Sequence, residues 1–239
     1  MYKQRFISVV IPALDEEHAI DKVIDGLHAL IHEGSPIIDS IIVCDNGSSD
    51  QTANVASRHG AHVVNEPIAG YGRACLKALE HIDRNTDIIL FIDGDHSCHP
   101  KQAIALLDGI LSGDDLAIGS RPLGHIQKGA LTPVQQFGNA LSAKLIYLLW
   151  RVNITDLGPF RAITYDALKK INMQDKTFGW TVEMQVKAIQ HKLTMSEYPV
   201  DSILRIGESK ISGTIKGSVM AGIGILSMIF GLYLKGSRG

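Results

Sequence analysis

Four apolar residues, Ile88 to Phe91, run through Ile92 into Asp93-Gly94-Asp95, and Pro100 closes the stretch. A short β-rich run bounded in this way reads as a strand buried on both faces. It delivers two carboxylates to the carboxyl edge of a sheet, where open α/β sheets bind ligands. Residues i and i+2 of an extended segment face the same side, so Asp93 and Asp95 converge on one target. Like charges that close call for a cation, most simply Mg²⁺ or Mn²⁺ with oxygen ligands and a diphosphate. Gly94 lets the backbone approach a ligand. The tripeptide is also short enough to arise by chance, and an acidic loop before a helix starting near Pro100, capped by Ser97, fits it too.

The first half repeats the pattern of apolar run and helix. Phe6 to Ile11 reads as a strand, and Ile20, Val23, Ile24, Leu27, Leu30 and Ile31 keep helical spacing. Ile41 to Cys44 is a second strand, followed by a helix from about Gln51 to His59 that Gly60 stops. Ala61 to Val64 reads as a third strand, and Cys75, Ala78, Leu79 and Ile82 mark a helix. After the organising strand come a helix through Ile104, Leu107 and Leu111 and a strand from Leu116 to Ile118, ending at Gly119-Ser120-Arg121. Strands alternating with helices at this spacing predict βαβ units and a mainly parallel sheet in one α/β domain. Asp45, ending the second strand, could accept hydrogen bonds from a base or ribose, whereas Asp50 is placed to cap the next helix.

At 239 residues, 45% hydrophobic and 20% charged, the chain is globular. Its net charge of −2 conceals a split: residues 1–120 hold 8 Lys and Arg against 18 Asp and Glu, and residues 121–239 hold 15 against 7. An acidic half suited to a metal is joined to a basic half suited to anions. Cys44, Cys75 and Cys98 lack metal-ligand spacing and read as reduced thiols of a cytosolic protein. The first strand is followed by no GxGxxG, and no GxxxxGK[ST] occurs, which argues against dinucleotide oxidoreductases and P-loop enzymes. The histidines show no HxxxH or HExxH pairing.

SVVIPALDEE (8–17), IIVCDNGSSDQT (41–52), GYGRACLKAL (70–79), ILFIDGDHSCHP (89–100), AIGSR (117–121) and RIGESKISG (205–213) stand in the order found in family 2 glycosyltransferases, and the chain most resembles their dolichyl- or polyprenyl-phosphate hexosyltransferase branch. The resemblance implies a GT-A fold, a nucleotide-sugar donor, a divalent metal and inversion at the anomeric carbon. By position it places Pro12, Leu14 and Glu16 around base and ribose, with Val43 and Asp45 on the base. It puts Asp93, Gly94 and Asp95 on ribose, diphosphate and metal, with Asp95 a direct ligand and Ser97 where a metal-binding Gln is frequent. Arg121 would face the sugar phosphate or acceptor phosphate, and Arg205 and Lys210 would close over the diphosphate. Leu14 replaces a frequent aromatic and Asn46 a second Asp.

The second half fits the acceptor side. Asp156-Leu157-Gly158-Pro159-Phe160-Arg161 resembles the segment entering the acceptor region, where Arg161 either neutralises an anion or is a surface arginine on a structural turn. Glu183 lies on a helix with Val182, Val186 and Ile189, as a helix-face charge or a site carboxylate. Ser218 to Leu234 carries no charge, and Lys216 and Lys235 flank it. It reads as a helix lying in the membrane, as a span, or as a buried core or dimer element. The expected organisation is a glycosyltransferase domain over residues 1–217 and an apolar, membrane-associated helix over 218–239. The expected activity is hexose transfer to a polyprenyl phosphate at the cytoplasmic face of a membrane, with no nucleic-acid partner. Transfer to a hydroxyl of a lipid or glycan, using Asp156 or Glu183 as base, is an alternative, as is a non-catalytic nucleotide-sugar-binding protein.

Overall fold

The computed structural model describes residues 2–207 and 215–236. The apolar run at the N-terminus becomes β1 (Ile7–Ala13), buried at every residue. It is followed by α1 (Ile20–His28), whose Ile20, Val23, Ile24 and Leu27 face inward. Burying each such side chain contributes about 1.5–3 kcal/mol. The helix is shorter than its apolar spacing predicts, because Ile31 enters a small hairpin of β2 (Ile31–His32) and β3 (Ser35–Pro36). Then come β4 (Ser40–Asp45), α2 (Thr52–Arg58), β5 (His62–Asn65) and α3 (Tyr71–Leu79). The organising strand is β6 (Ile88–Phe91), buried throughout, and a 3₁₀ turn at Pro100–Gln102 leads into α4 (Ala103–Leu111) and β7 (Leu116–Ser120).

The second half contributes α5 (Pro133–Trp150), β8 (Arg161–Thr164), α6 (Tyr165–Ile171), α7 (Trp180–Gln190), β9 (Met195–Pro199) and α8 (Ile215–Gly236). Sequence periodicity does not reveal α5, because its apolar residues lie on several faces. Its start is locally encoded: Thr132 and Gln135 form a reciprocal capping box, with Pro133 in the first turn.

The seven-stranded sheet runs β5-β4-β1-β6-β8-β7-β9. All its pairs are parallel except those of β8, which is antiparallel to both β6 and β7. From β1 the chain moves outward through β4 and β5, then returns to place β6 on the other side of β1. The crevice beyond the carboxyl ends of β1 and β6 is therefore the topological switch point where ligands bind.

One face of the sheet packs on α1, α2 and α4, and the other on α3, α6 and α7. A third cluster joins α5, α7 and α8 through Ile146, Val182, Val186, Ile229 and Leu232. The uncharged C-terminal run thus forms the expected helix, yet its Ile229 and Leu232 are buried in the domain. Among the described residues no helix is long and apolar enough to cross a membrane.

Candidate active site

A cleft of about 380 Å³ opens at the switch point. Pro12, Leu14 and Glu16 reach it from the end of β1, and Asp93, Gly94 and Asp95 from the end of β6. Arg205 comes in from the far end of the chain, so six residues assigned to the donor from the sequence meet Arg205 in one place. Its guanidinium lies 2.7 Å from Glu16 Oε1 and 3.3 Å from Asp95 Oδ2. The Ile206 N–H donates to the Asp95 carbonyl at 3.0 Å, and the Ile203 N–H to that of Ser97 at 2.9 Å, pinning this strap to the Asp-Gly-Asp turn. Lys210 lies outside the described residues.

The two acidic residues of the turn have different surroundings. Asp95 is buried at 7% exposure, and its Oδ1 accepts the Ser97 N–H at 3.0 Å. Asp93 accepts a hydrogen bond from the Tyr71 hydroxyl at 2.9 Å. Burial, and then the adjacent Asp95 charge, push the Asp93 carboxyl up to about 7. A divalent cation would relieve that repulsion. Among the described residues no three His, Cys, Asp or Glu side chains gather into a metal cage. Hard cations such as Mg²⁺ commonly use one or two carboxylates and complete their shell with phosphate oxygens and water. Asp95, with Asp93 beside it in the cleft, fits a site of that kind.

Several assignments change. Gly94 lines the cleft, and a Cβ there would meet Ile20 Cδ1 at 3.2 Å, a tight contact. Its lack of a side chain therefore serves packing against α1 as well as ligand approach. Val43 is fully buried in the core and does not reach the cleft, because its side of β4 packs against α1 and α2. Asp45 is buried at the end of β4, accepts the Ser48 N–H and is not among the residues lining the cleft. Ser97 contributes its backbone N–H to Asp95 and is not part of the cleft lining. Asp50 accepts from the Thr52 N–H and hydroxyl at the start of α2, in keeping with a cap.

Arg161 does not face an acceptor. Its side chain is fully buried, and its guanidinium donates to the carbonyls of Gly158 and Thr181. Burial lowers its pKa to about 10, which leaves it charged at neutral pH, and it braces the Gly158 turn against α7. Arg121 is partly exposed and grips Asp156 with Nε and Nη2, each at 2.7 Å, while its backbone N–H adds a third bond at 2.8 Å. Asp156 is fully buried, and Glu197 holds its loop by accepting the N–H groups of Thr155 and Asp156. Glu183 is buried too, accepting the N–H groups of Gln174 and Asp175 and pairing with Lys187 at 2.7 Å. It is neither an exposed helix-face charge nor a carboxylate of the cleft.

Sequence reading missed one wall of the cleft, made by Asn46, Gly70, Tyr71, Thr177 and Phe178. Asn46 donates to the carbonyls of Glu66 and Ile68 at 2.8 and 2.9 Å and accepts the Gly70 N–H at 2.8 Å. That explains the amide: a carboxylate could not donate to those two carbonyls. The start of α3 docks on the 175–177 segment through the Gly72 N–H to Thr177 O and the Arg73 N–H to Lys176 O. A Cβ on Gly72 would sit 2.2 Å from the Asp175 carbonyl oxygen, so the motif GYGR encodes this contact. Its glycines were the available signal.

The cleft therefore combines a paired carboxylate floor, a guanidinium above it and a largely apolar wall. Such a set holds a polyanionic ligand with a cation and a flat, partly apolar group beside it. The Glycosyl transferase family 2 profile matches residues 8–171. An uncharacterized glycosyltransferase of Mycobacterium tuberculosis is 31% identical over 218 residues, covering 90% of this chain and 94% of that protein. The dolichyl-phosphate hexose transferase of Haloferax volcanii is 27% identical over 90% of each chain. Glucosyl-3-phosphoglycerate synthase from Mycobacterium tuberculosis, solved with Mn²⁺ and UDP, superposes with a TM-score of 0.77 at 22% identity, covering 96% of this chain and 80% of that one. The α/β architecture is thus of the GT-A kind, and profile, relatives and cleft agree that this chain belongs to glycosyl transferase family 2.

Proposed function

We propose that this glycosyltransferase moves a hexose from a nucleotide sugar to a polyprenyl phosphate, with inversion, at the cytoplasmic surface of a membrane. The observation that carries the choice of acceptor is the state of the two acceptor-side carboxylates that the sequence offers as bases. Asp156 is enclosed and gripped by Arg121, and Glu183 is enclosed and bound to backbone N–H groups. A hydroxyl acceptor needs a base to take its proton. A phosphate monoester already presents an oxyanion at neutral pH and needs cationic positioning instead. The Haloferax volcanii relative, a dolichyl-phosphate hexose transferase, supports this reading.

In the reaction, a phosphate oxygen of the acceptor attacks the anomeric carbon of the donor. The bond from that carbon to the diphosphate oxygen breaks, and the electron pair leaves with the nucleoside diphosphate. Pro12, Leu14 and the Asn46–Phe178 wall hold base and ribose, and Glu16 stands beside them. Asp93 and Asp95 would hold Mg²⁺ or Mn²⁺, which when bound neutralises charge developing on the leaving diphosphate. Arg205 adds a second cation to that group, and Arg121 orients the incoming phosphate.

A donor panel tests the reading. Purified full-length protein with Mg²⁺ or Mn²⁺ is offered each common nucleotide sugar, with and without a short-chain polyprenyl phosphate. Nucleoside diphosphate release that depends on the lipid phosphate is the expected result. Release that depends instead on a free hydroxyl acceptor, such as a glycerate or glycan, would replace the phosphate reading. A protein that binds donor but releases nothing with any acceptor would be a non-catalytic binder.

A further inference from the structure

Among the described residues fourteen large hydrophobic side chains are exposed, and five of them lie on α5 and five on α8. On α5, Val134, Phe137, Leu141 and Leu148 recur at helical spacing with Lys144 among them, and Phe137 is 70% exposed. The opposite side of α5 is buried through Ser142 and Ile146. On α8, Met220, Ile223, Phe230 and Leu234 repeat the same spacing, while Ile229 and Leu232 turn inward. The two helices pack on each other, and Trp150 meets Tyr233 edge-on at 5.6 Å. Two neighbouring helices therefore turn apolar stripes outward, an amount of exposed apolar surface that marks an interaction site.

Charge decides the partner. From Leu116 to Thr155 the chain carries Arg121, Lys128, Lys144 and Arg151 and no Asp or Glu, and after Glu208 it carries only basic charges. A second copy seated on this face by two-fold symmetry would set the Lys and Arg of these helices against their own copies, with no carboxylate on either helix to answer them. An anionic lipid surface takes apolar stripes into its acyl boundary and attracts the exposed Lys144, Arg151 and Lys235.

The inner side of α5 also touches the active-site scaffold. Asn139 donates to the Thr155 carbonyl and accepts the Leu157 N–H, both at 2.9 Å, so it brackets Asp156. Asp156 in turn fixes the Arg121 guanidinium. We propose that α5 and α8 together form the face on which the enzyme rests on an anionic bilayer, and that Asn139 is a positioning residue tying that face to Arg121. The docking half stands by itself, and the Asn139 half rests on the lipid-phosphate reading above.

The test uses full-length protein, vesicles of phosphatidylglycerol and vesicles of phosphatidylcholine, without acceptor. The wild type sediments with the anionic vesicles and is released by salt. Phe137→Glu with Leu141→Glu weakens that binding at least about tenfold while nucleotide binding stays unchanged. Asn139→Ala sediments like the wild type, but with a water-soluble short-chain polyprenyl phosphate its kcat/KM for acceptor falls while its donor KM holds. A wild type that stays in solution, or a double variant that sediments like it, overturns the docking face. A wild-type dimer that the double variant splits, with no vesicle binding, assigns the face to a second copy and also overturns it. Unchanged acceptor kinetics in Asn139→Ala overturn the link to Arg121. A protein that sediments but transfers nothing to polyprenyl phosphates fails the acceptor reading, and the Asn139 link with it, while the docking face stands.

Discussion

Arg121 and Asp156, 35 positions apart, meet through two parallel hydrogen bonds of 2.7 Å, one from Nε and one from Nη2. The pairing fixes the plane of a partly exposed guanidinium with a carboxylate that has no exposure of its own. Bidentate geometry of this kind gives direction as well as charge. Asp156 is therefore placed to orient Arg121.

Substitution separates those roles. Asp156→Asn should lower acceptor kcat/KM by about 10–100-fold, roughly 1.4–2.8 kcal/mol, with donor affinity unchanged. Arg121→Ala should cost at least as much, and the double variant should be no worse than Arg121→Ala alone, because the two act as a unit. A general base would instead show a lost basic limb in the pH profile of Asp156→Asn and additive losses. Steady-state kinetics of the three variants across pH checks this.

Asn46→Asp should weaken donor binding although the bonds of the Asn46 amide run to backbone groups of the cleft wall. The change sets a carboxylate against the carbonyls of Glu66 and Ile68, now at 2.8 and 2.9 Å from an amide nitrogen. Leaving those acceptors unsatisfied costs about 1–3 kcal/mol. The 66–70 segment should loosen, and nucleotide titration should show a matching loss of affinity with a lowered Tm. An Asn46→Asp protein binding nucleotide as tightly as wild type would show that the amide is dispensable to the wall.

The strand-and-helix alternation was legible because buried parallel strands leave continuous apolar runs, and those runs placed β1, β4 and β6 correctly. The floor of the cleft was legible for the same reason, since Asp93 and Asp95 sit directly at a strand end. Residues that act through backbone contacts were not. Tyr71, Thr177 and Phe178 come together because Gly72 lies against the 175–177 backbone, a long-range fit with no periodicity of its own. Arg161 left two readings open, because an arginine in a site-like motif looks the same in sequence whether it meets an anion, solvent or backbone carbonyls. The helix α5 escaped notice because its inner and outer faces are both apolar, so no amphipathic period stands out.

Asp93 predicts a pH dependence for metal binding. Burial first, and the Asp95 charge second, hold its carboxyl at about 7 instead of 3.8. A bound cation requires the ionised form, so metal binding displaces a proton below that pH. Mn²⁺ affinity measured with UDP present should therefore fall as pH drops from 8 to 6, approaching about tenfold per unit at the acid end. In the absence of metal the sign for folding is opposite: the folded state binds the extra proton between 3.8 and about 7, so this group lowers stability as pH rises through that window. Asp93→Asn should flatten both dependences, read by Mn²⁺ titration and by Tm against pH.

Arg205 predicts a division between metal binding and transfer. Within the cleft its guanidinium contacts Glu16 at 2.7 Å and Asp95 at 3.3 Å, so it serves as counter-ion to the carboxylate that a metal would use. Its position is set by the Ile203 and Ile206 N–H bonds to the Asp-Gly-Asp turn, which keep it close to any cation bound there. A divalent ion arriving alone must displace or tolerate this charge, whereas an ion arriving with a nucleoside diphosphate brings anionic oxygens that Arg205 can bind instead. Because the pair is partly solvated, the opposing effect is on the order of 1 kcal/mol. Arg205→Ala should accordingly bind Mn²⁺ without nucleotide about fivefold more tightly than wild type, and should lose that advantage, or reverse it, when UDP is present. Hexose transfer should fall by roughly 10²-fold or more, since the departing diphosphate loses a cation. Mn²⁺ titration by electron paramagnetic resonance with and without UDP, beside transfer kinetics, reads both effects. Weaker Mn²⁺ binding by Arg205→Ala in the absence of nucleotide would mean that the arginine supports the metal site and does not compete with it.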